Sequence, residues 1–526
     1  MKYSILTISA LALTIGTVAC GGKGDKAADS AKLAEEAEKE EILVELPDTA
    51  YESVKLINAT TTIVDESTSG KLNNLADLYN KTPGVFAFRK NSRRDADMFG
   101  TVKGTPSDIV VDWEYVTGSD NRTTGSSRGW GGGSGWTGQP VYVEWPDSMI
   151  QRYKQKGHLK EGFSGKEIIV GSLGSHVYFI DFNTGKDSRQ AINVFNPIKG
   201  SISLDPSMNG NIYVGHGIPN ERPFGHVVVN LDEHAVTDRI GEDKGTPRAW
   251  GAYDSSAIRH GQFLFRPGEN GRLYKYLIEP GKLKLHSTMD YKVPSGGPGM
   301  EASLSIYRNY GYTADNHGYL VCTNLNTMKP VWVYNMGDDT DSSPVVQVED
   351  GVPYIYTGSE VDRTSTGETK FVKLNALTGE PVWEKMIPAK RWNLQGTVRH
   401  FDGGFYGTTL PGRGNCKDLI FNHVVKNTSG QNGAFIAMDR KTGEIKYETP
   451  TKRYAWSSPV GFMNEKDEMF ILTGDCAGNM YIINGADGQI LATKTVGHNF
   501  ESSPVVSGNS AVVGSRGSTI YKVSLK

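Results

Sequence analysis

The fold of this 526-residue chain is decided by two segments, KLNALTGEPVW at residues 373–383 and AMDRKTGEIKY at residues 437–447. Each begins with alternating apolar and polar residues, turns at a Thr-Gly pair, and resumes as a strand pattern that ends on an aromatic residue. Alternation with a period of two is typical of strands that bury one face, and glycine at the break allows a tight turn. Shorter versions are DFNTGK at 181–186 and INGADGQIL at 483–491. The pattern predicts a repeated antiparallel β unit.

A second pattern, a small-residue pair followed by an apolar strand, recurs eight times from residue 138 onward. The mean spacing is 52 residues, the length of one propeller blade. Each copy continues with a strand that ends near glycine and then an alternating strand, so the sequence predicts about four strands per unit. The copies are GQPVYV, GSISLD, SSAIRH, ASLSIY, SSPVVQ, GTVRHF, SSPVGF and SSPVVS, and their second residues are Gln139, Ser201, Ser256, Ser303, Ser343, Thr397, Ser458 and Ser503.

The two ends of the repeat region complement each other. The last unit stops at Lys526 after three strand patterns, whereas an unpaired strand pattern, DIVVDWEYVTG at 108–118, precedes the first unit. We expect this strand to complete the eighth blade, which would close the ring and cover edges that promote aggregation. The predicted fold is all-β: an eight-bladed β-propeller of four-stranded antiparallel blades, ring-closed by an N-terminal strand, with a small N-terminal extension. Seven blades are the alternative.

These repeats resemble those of quinoprotein-type (PQQ-like) propellers over residues 108–526. The family pattern joins an Ala/Ser-Ser-Pro-Val strand, a Leu-Tyr-Val-Gly strand and A-x-D-x-x-T-G-x-x-x-W, which residues 373–383 and 437–447 match closely. The resemblance implies that the closing tryptophans, here Trp332 and Trp383, pack between neighbouring blades. It is specific for the fold and weak for activity, because one fold carries many functions.

The cysteines of this sequence can be compared with those that the resemblance implies for an enzyme of this family. Their alcohol-oxidising members bind pyrroloquinoline quinone (PQQ) and calcium and carry adjacent cysteines, whereas Cys322, Cys416 and Cys476 are never adjacent here. We therefore assign no catalytic residues and expect no enzyme. PQQ or calcium is kept only as the cofactor of an alternative function.

The N-terminus is typical of an export signal. Lys2 and an apolar stretch at 5–18, too short to cross a bilayer, precede Ala19-Cys20-Gly21. This resembles the lipobox of bacterial lipoproteins, in which the cysteine is lipidated, and implies a signal peptide at 1–19 with a lipid on Cys20. Secretion without a lipid is the alternative, and a globomycin-sensitive shift in size distinguishes the two. Residues 20–48 would then be the tether and an acidic spacer.

The net charge of −3 lies in that spacer, because residues 27–46 hold seven acidic and two basic side chains and the remainder of the chain is close to neutral. A neutral body argues against nucleic acid as a partner. We interpret residues 49–107 as a cap segment on the propeller, or alternatively as a small separate domain. Its basic run at 88–94 is interpreted as a solvated surface, or alternatively as a docking patch for a partner.

The aligned repeats also suggest a binding site. If the aligned strand is the innermost one, the residues two positions before it surround the mouth of the central channel. Carboxylates gathered there would attract a cation or a polyhydroxylated ligand and raise one another's pKa. Alternatively, they accept hydrogen bonds from turn amides and tie the blades together. The residues are Thr137, Lys199, Asp254, Glu301, Asp341, Gln395, Trp456 and Glu501, and the candidate ring is Asp254, Glu301, Asp341 and Glu501.

The glycine-rich segment GWGGGSGWTGQP at 129–140 lacks the Lys-Ser/Thr ending of a phosphate-binding loop. It is interpreted as a crossover loop or as a face loop that presents Trp130 and Trp136 to a ligand. Together, these features predict a non-catalytic, lipid-anchored scaffold at the outer membrane of a diderm bacterium, whose propeller faces bind an envelope protein or a glycan. The alternative is a periplasmic PQQ-dependent or other small-ligand oxidoreductase.

Overall fold

Eight antiparallel β-sheets, each forming one blade, surround a central channel in the computed structural model. The structure describes residues 51–526 apart from Asp97, 121–129, Thr137, 220–222, Glu242, Ser365 and 394–399. The predicted signal peptide, Cys20 and the acidic spacer therefore lie outside the described residues. Within the described part, no helix is both long and apolar enough to cross a bilayer.

The first four blades follow each other along the chain, and the strands of each blade run in order from the channel outward. Each inner strand is short and each sheet is antiparallel throughout. Blade one is Val141–Glu144, Lys166–Gly171, His176–Asp181 and Ile192–Asn193; blade two is Ser203–Leu204, Asn211–Gly215, His226–Asn230 and Ala235–Ile240; blade three is Ile258–His260, Phe263–Gly268, Arg272–Glu279 and Lys282–Lys292; blade four is Ser305–Tyr307, Tyr310–Ala314, Tyr319–Asn324 and Lys329–Asn335.

The second four blades continue the ring, and in blade six the inner strand is broken into two short pieces. Blade five is Val345–Glu349, Val352–Gly358, Glu368–Asn375 and Pro381–Pro388; blade six is Gly403–Gly404 with Leu410–Pro411, then Leu419–Val425, Gly433–Asp439 and Ile445–Thr451; blade seven is Val460–Met463, Met469–Gly474, Asn479–Asn484 and Ile490–Thr495; blade eight is Val505–Ser507, Ser510–Gly514, Thr519–Leu525 and Ile109–Val116.

The ring closes as the sequence predicts. Ile109–Val116 pairs antiparallel with Thr519–Leu525 and forms the outer strand of blade eight, so both ends of the repeat region share one sheet. The eight-bladed fold is confirmed, because the described strands form eight blade sheets and not seven.

The elements outside the blades are short. The helix Asp147–Gln155 is inserted between the first two strands of blade one, and a two-stranded hairpin pairs Trp392–Asn393 with His400–Phe401. Three 3₁₀ helices are Glu52–Leu56, Leu78–Lys81 and Gly414–Cys416.

A belt of hydrogen bonds joins the inner strands at the aligned position of the repeat. The Ser256 N–H donates to the Ser303 hydroxyl at 2.9 Å, and the Ser303 N–H donates to the next hydroxyl, on Ser343, at 2.9 Å. In blade six this position belongs to Thr408, whose N–H donates to the Ser458 hydroxyl at 2.9 Å. Thr397, the sequence-based choice for this blade, lies outside the described residues.

Neighbouring blades also contact each other through an aromatic residue on the outer strand. Trp332 of blade four is fully buried and donates through Nε1 to the Ala376 carbonyl of blade five at 3.1 Å. Its indole covers Gly379, where a Cβ would lie 2.7 Å from the ring and where φ is +74°. Trp383 has the same relation to blade six, with Nε1 donating to the Arg440 carbonyl at 3.1 Å. Only glycine combines this left-handed backbone with room for the ring, which explains the Thr-Gly pair.

The N-terminal segment enters the channel. Its first strand, Asn58–Ile63, pairs with the outer strand of blade three. Residues 77–96 with 98–102, called the plug below, then cross one end of the channel. The plug pairs through Gly84–Val85 with the inner strand of blade one and through Met98–Phe99 with that of blade eight.

The plug also forms hydrogen bonds with the inner strands of three other blades. Its carbonyls at Phe86, Ser92 and Arg93 accept from the N–H groups of Leu204, Ile306 and Val346 at 2.8, 2.7 and 3.0 Å, in blades two, four and five. The plug therefore closes one end of the channel and leaves a cup with one mouth.

The basic run of the plug corrects the prediction of a solvated surface. Arg89 and Arg94 are both fully buried, with left-handed backbone at φ +56° and +59°. Arg89 donates to the carbonyls of Pro459 at 2.6 Å and Thr409 at 2.8 Å. These guanidinium groups therefore lie inside the channel and not on a solvated surface.

Arg94 makes equivalent bonds on the other side of the ring. It donates to the carbonyls of Leu304 at 2.9 Å, Ser256 at 3.0 Å and Phe88 at 2.7 Å. The two arginines together therefore link blades three, four, six and seven and form the floor of the cup.

Candidate functional site at the channel mouth

The mouth lies at the end of the channel opposite the plug, where the inner strands begin. Adjacent strands of a blade are antiparallel, so the ends of the second strands lie at the same edge. The residues two positions before the belt are Lys199, Asp254, Glu301, Asp341, Tyr406, Trp456 and Glu501 in blades two to eight. Thr137 of blade one and Gln395, the sequence-based choice in blade six, lie outside the described residues.

Three carboxylates from blades three and four form one acidic group. Oxygen atoms of Asp254, Glu269 and Glu301 all lie within 4.8 Å of one another. Lys199 of blade two forms an ion pair with Asp254, and Trp250 donates through Nε1 to Glu269 at 2.8 Å. Asp254 Oδ1 and Glu269 Oε1 are buried without a hydrogen-bond donor among the described residues. Such oxygens are the ligands that a hard cation prefers.

A second acidic group comes from blade five. Asp341 lies close to Glu360, which follows the second strand of the same blade, and Asp339 is close to both. Glu360 is only 5% exposed, and its Oε1 and Asp339 Oδ1 have no donor among the described residues. Together the two groups form an acidic wall across three consecutive blades: Asp254, Glu269, Glu301, Asp339, Asp341 and Glu360.

Burial and mutual repulsion raise the pKa of five carboxyls of the wall: Glu269, Glu301, Asp339, Asp341 and Glu360. Burial raises the pKa of Glu269 well above its usual range, and the charges of Glu301 and Asp254 add to the effect. Burial and the Glu301 charge do the same to the pKa of Asp341. For Glu360, burial and then Asp341 raise the pKa. The low-dielectric mouth disfavours several adjacent negative charges, so these five carboxyls bind protons more readily than free carboxyls do.

Glu501, the fourth member of the predicted ring, has a different environment. Its Oε2 lies 3.2 Å from Arg516 Nη1, and its Oε1 accepts from Asn499 Nδ2 at 2.9 Å. Burial raises its pKa while Arg516 lowers it. The structure therefore brings Asp254, Glu301 and Asp341 into one wall and pairs Glu501 separately.

An aromatic wall faces the acidic one. Tyr406 of blade six stacks on Trp456 of blade seven with ring centroids 4.3 Å apart, and Trp136 meets Trp456 edge-on at 4.2 Å. Trp136, which shortly precedes the first blade, and Trp456 are partly exposed. In an eight-membered ring, blades seven and one lie opposite blades three and five. The aromatic wall is Trp136, Tyr406 and Trp456: its Trp456 and Trp136 lie across the mouth from the carboxylates of blades three and five, and its Tyr406, in blade six, adjoins blade five.

Trp130 is also placed near the mouth by its contacts with cations. Lys199 Nζ lies 5.9 Å and the Arg516 guanidinium 6.0 Å from its ring. Both distances are within the range of cation–π attraction. Trp130 and Trp136, which belong to one glycine-rich segment, therefore lie near residues of the same site.

Sequence reasoning missed Glu269, Asp339 and Glu360. Glu269 and Glu360 follow the second strands of their blades, in PGE and GSE, just as Asp315 and Asp475 do in TAD and TGD. Alignment of second-strand ends would have found them, since those ends reach the mouth. Asp339 belongs to the DDTD run at 338–341, which has no recognisable metal-loop spacing.

The three cysteines of the described residues form no disulfide with one another. Cys322 and Cys416 are buried, Cys476 is partly buried, and all three are free thiols. Burial raises the pKa of Cys416 to about 11. A buried thiol with a raised pKa carries little thiolate and is a poor nucleophile.

The acidic wall gives a pH-dependent effect on stability. Because the folded pKa of Asp341 is raised, the folded state binds more protons than the unfolded state above the ordinary carboxyl range. Its stabilising contribution is therefore complete below the unfolded pKa and is lost as the pH rises through the folded pKa. We expect Asp341→Asn to unfold at a higher temperature than the wild type at pH 8, and the difference to shrink or reverse at pH 5. Differential scanning calorimetry measures the unfolding temperatures. The control is Glu114→Gln, on the exposed outer strand of blade eight, which should show no dependence of this kind on pH. Equal pH dependence of the two variants would contradict the prediction.

Known structures share this propeller fold. No family model matches the sequence, and no curated protein is significantly similar to it. The quinohemoprotein alcohol dehydrogenase ADHIIG from Pseudomonas putida HK5 is 11% identical with a TM-score of 0.58, over 85% of this chain and 81% of that one. The quinohemoprotein alcohol dehydrogenase from Comamonas testosteroni is 13% identical with a TM-score of 0.56, over 84% and 80%. BamB from Moraxella catarrhalis is 15% identical with a TM-score of 0.46, over 68% and 93%. At these identities the likeness shows the fold alone.

Proposed function

We propose that the protein is a non-catalytic binding protein of the bacterial cell envelope whose channel mouth holds a glycan. The observation that carries this proposal is the pairing of an aromatic wall with an acidic wall over a closed cup. Sugar rings present an apolar face, which stacks on aromatic rings, and a rim of hydroxyl groups, which donate to carboxylates. Trp456 and Trp136, which are partly exposed, supply the first kind of contact, and Asp254, Glu301 and Asp341 supply the second.

The cup itself supports a binding role. Arg89 and Arg94 close the channel below the belt, so a ligand would enter and leave through the mouth. Ligand sites are commonly concave, mostly preformed and provided with a few converging polar groups. The unpartnered oxygens of Asp254 and Glu269 are such groups, since they have no donor among the described residues.

The placement in the envelope rests on the N-terminal sequence. The signal-like segment at 1–19 and the lipobox-like cysteine at Cys20 support export and lipid anchoring. The acidic spacer would separate the propeller from the membrane surface. In this proposal the anchor is the membrane attachment, and the propeller presents its mouth to an envelope glycan.

The alternative is a PQQ-dependent oxidoreductase, the class of the two dehydrogenases that share the fold. The residues at the mouth fit that quinone poorly. PQQ carries three carboxylates, and the acidic wall already holds more carboxyls than basic neighbours, as their raised pKa values indicate. We therefore derive no catalytic step through a quinone.

Titration calorimetry with glucose, N-acetylglucosamine and cellobiose tests the proposal. We expect at least one sugar to bind the wild type and Trp456→Ala to weaken that binding about two- to tenfold, since one aromatic contact contributes about 0.5–1.5 kcal/mol. Tyr307→Ala is the matched control, because Tyr307 lies at the plug end of the inner strand of blade four. Flat titrations with all three sugars, or equal losses in both variants, would contradict glycan binding at the mouth.

A further inference from the structure

The charges of the acidic wall are unevenly balanced. Lys199 pairs with Asp254, and Arg248 Nη1 lies 3.7 Å from Glu269 Oε2, so the group from blades three and four has two cations beside it. The ion pairs of the described residues include none to Asp339, Asp341 or Glu360. Arg391, in the loop that follows blade five, pairs instead with Asp362 at 3.0 Å and Asp402 at 3.4 Å. Among the described residues, the blade-five group therefore lacks a counter-ion.

Two carboxylate oxygens of the blade-five group are buried and have no hydrogen-bond donor among the described residues. Glu360 Oε1 is buried in a side chain that is only 5% exposed, and it has no hydrogen-bond partner among the described residues. Asp339 Oδ1 is also buried and without a partner among the described residues, although the Asp339 residue as a whole is partly exposed. A buried carboxylate oxygen without a donor is costly, so such atoms are normally satisfied by a ligand, a proton or an ion.

The spacing of the carboxylates favours an ammonium group over a metal ion. In the described part of the chain, only Asp254, Glu269 and Glu301 bring their oxygens within 4.8 Å of one another, and Lys199 already contacts that group. The blade-five carboxylates do not meet this spacing. An ammonium group has three N–H donors directed outward and can satisfy acceptors that are spread more widely than the shell of one metal ion.

The aromatic wall begins next to this group. Tyr406 of blade six follows Asp341 of blade five around the ring. Burial raises the pKa of the Tyr406 hydroxyl, and the nearby charges of Glu360 and Asp402 add to the effect. Tyr406 is itself buried and stacks on the partly exposed Trp456, so an ammonium group held by blade five would leave the rest of its ligand directed toward Trp456. An amine on a sugar ring has this combination of a charge and a flat apolar face.

We propose that the ligand is an amino sugar whose primary ammonium group is bound by Asp339, Asp341 and Glu360 while its ring lies against the aromatic wall. This inference rests on the proposed glycan-binding function. It assigns the three carboxylates the task of distinguishing an amino sugar from a neutral one. The raised pKa of Asp341 and Glu360 agrees with it, since burial and the neighbouring carboxylates disfavour their ionisation in the free protein.

Several charged groups face these carboxylates and would respond to the same ligand. Glu301 and Asp315 approach from blade four, Asp362 from the loop between the second and third strands of blade five, and Asp402 from the segment between blades five and six. Lys199 from blade two opposes the burial and the Glu301 charge that raise the pKa of Asp341. Binding of an ammonium group should therefore release protons from the blade-five group near neutral pH, as shown by titrations in buffers of different ionisation enthalpy.

The test compares glucosamine with glucose and N-acetylglucosamine by calorimetry at pH 7. We expect glucosamine to bind the wild type at least tenfold more tightly than glucose. In the double variant Asp341→Asn/Glu360→Gln this preference should fall below about twofold while glucose affinity is retained, which also shows that the variant is folded. Glu114→Gln should keep the full preference.

The possible failures are distinguishable. Equal affinity of the wild type for glucosamine and glucose overturns the amino-sugar inference and leaves glycan binding intact. Failure of every sugar to bind removes the proposed function itself. Calcium chloride is titrated alone as a competitor, and tight calcium binding that is lost in the double variant would assign the blade-five group to a metal ion and overturn the inference.

Discussion

Replacing Arg94 by methionine should lower the free energy of unfolding by about 2–4 kcal/mol. The substitution removes the donors of three carbonyls, on Leu304, Ser256 and Phe88, at the floor of the cup. Each buried carbonyl left without a donor costs roughly 1–3 kcal/mol. Part of this cost is offset because a buried cation is itself unfavourable, and burial lowers the pKa of Arg94 to about 10. The loss of several bonds exceeds that relief, so the net effect is destabilising.

Arg93→Met is the matched control, because Arg93 is adjacent in sequence but its side chain is 36% exposed and pairs with Asp95 at 3.3 Å. An ion pair of this kind contributes roughly 0–1 kcal/mol. Urea denaturation followed by fluorescence measures both variants. If Arg94→Met and Arg93→Met unfold at the same urea concentration, the plug does not hold the blades together.

Trp332→Ala should destabilise the protein by about 3–5 kcal/mol, the usual cost of truncating a fully buried tryptophan. The indole fills the interface between blades four and five, where it covers Gly379 and donates to the Ala376 carbonyl. Removing it leaves a cavity and an unsatisfied carbonyl at the same place. Because closure of the ring joins all eight blades, weakening of one interface should reduce the cooperativity of unfolding as well as its midpoint.

Val382→Ala provides the comparison within the same pair of blades. Val382 lies on the outer strand of blade five, next to Trp383, and is 48% exposed. Its truncation should change stability by less than about 0.5 kcal/mol. Calorimetric melting of both variants provides the measurement, and a small effect of Trp332→Ala would mean that the aromatic residue is dispensable for docking of the blades.

The repeats made most of the fold predictable. The Thr-Gly turn needs glycine because its backbone is left-handed and an indole lies above it, so the local requirement and the repeat coincide at Gly379 and Gly443. Closure of the ring by residues 109–116 was predictable because the last repeat unit lacks a fourth strand and an unpaired strand precedes the first unit. Blade six was harder, since its inner strand is interrupted and the belt residue is Thr408.

The plug could not be predicted from the sequence. A run with Arg89, Lys90, Arg93 and Arg94 is ordinarily solvated, because burial of charge is costly. The channel reverses this preference because its inner-strand carbonyls, on residues such as Thr409 and Leu304, offer acceptors that only the closed ring brings together. No local pattern in the sequence contains that information.

The candidate site was predictable only in part, because the repeat reveals which residues share a position but not which other residues the folded ring brings beside them. Asp254, Glu301 and Asp341 share one position of the repeat, so alignment places them together. Glu269 and Glu360 come from a different strand and join them only because second strands end at the mouth. Glu501 has the right repeat position, yet Arg516 pairs with it at 3.2 Å, a contact that the repeat does not reveal.

Hydrogen–deuterium exchange of the full chain, with and without a bound sugar, tests the central claim most directly. Binding at the mouth should slow exchange of backbone amides in the segments 250–256, 299–303, 338–343 and 404–408 and leave the outer strands and residues 98–102 of the plug unchanged. These segments surround the cup on the acidic and aromatic sides. Protection confined to the outer strands or to the plug face would contradict the account, because it would place the ligand away from the channel mouth.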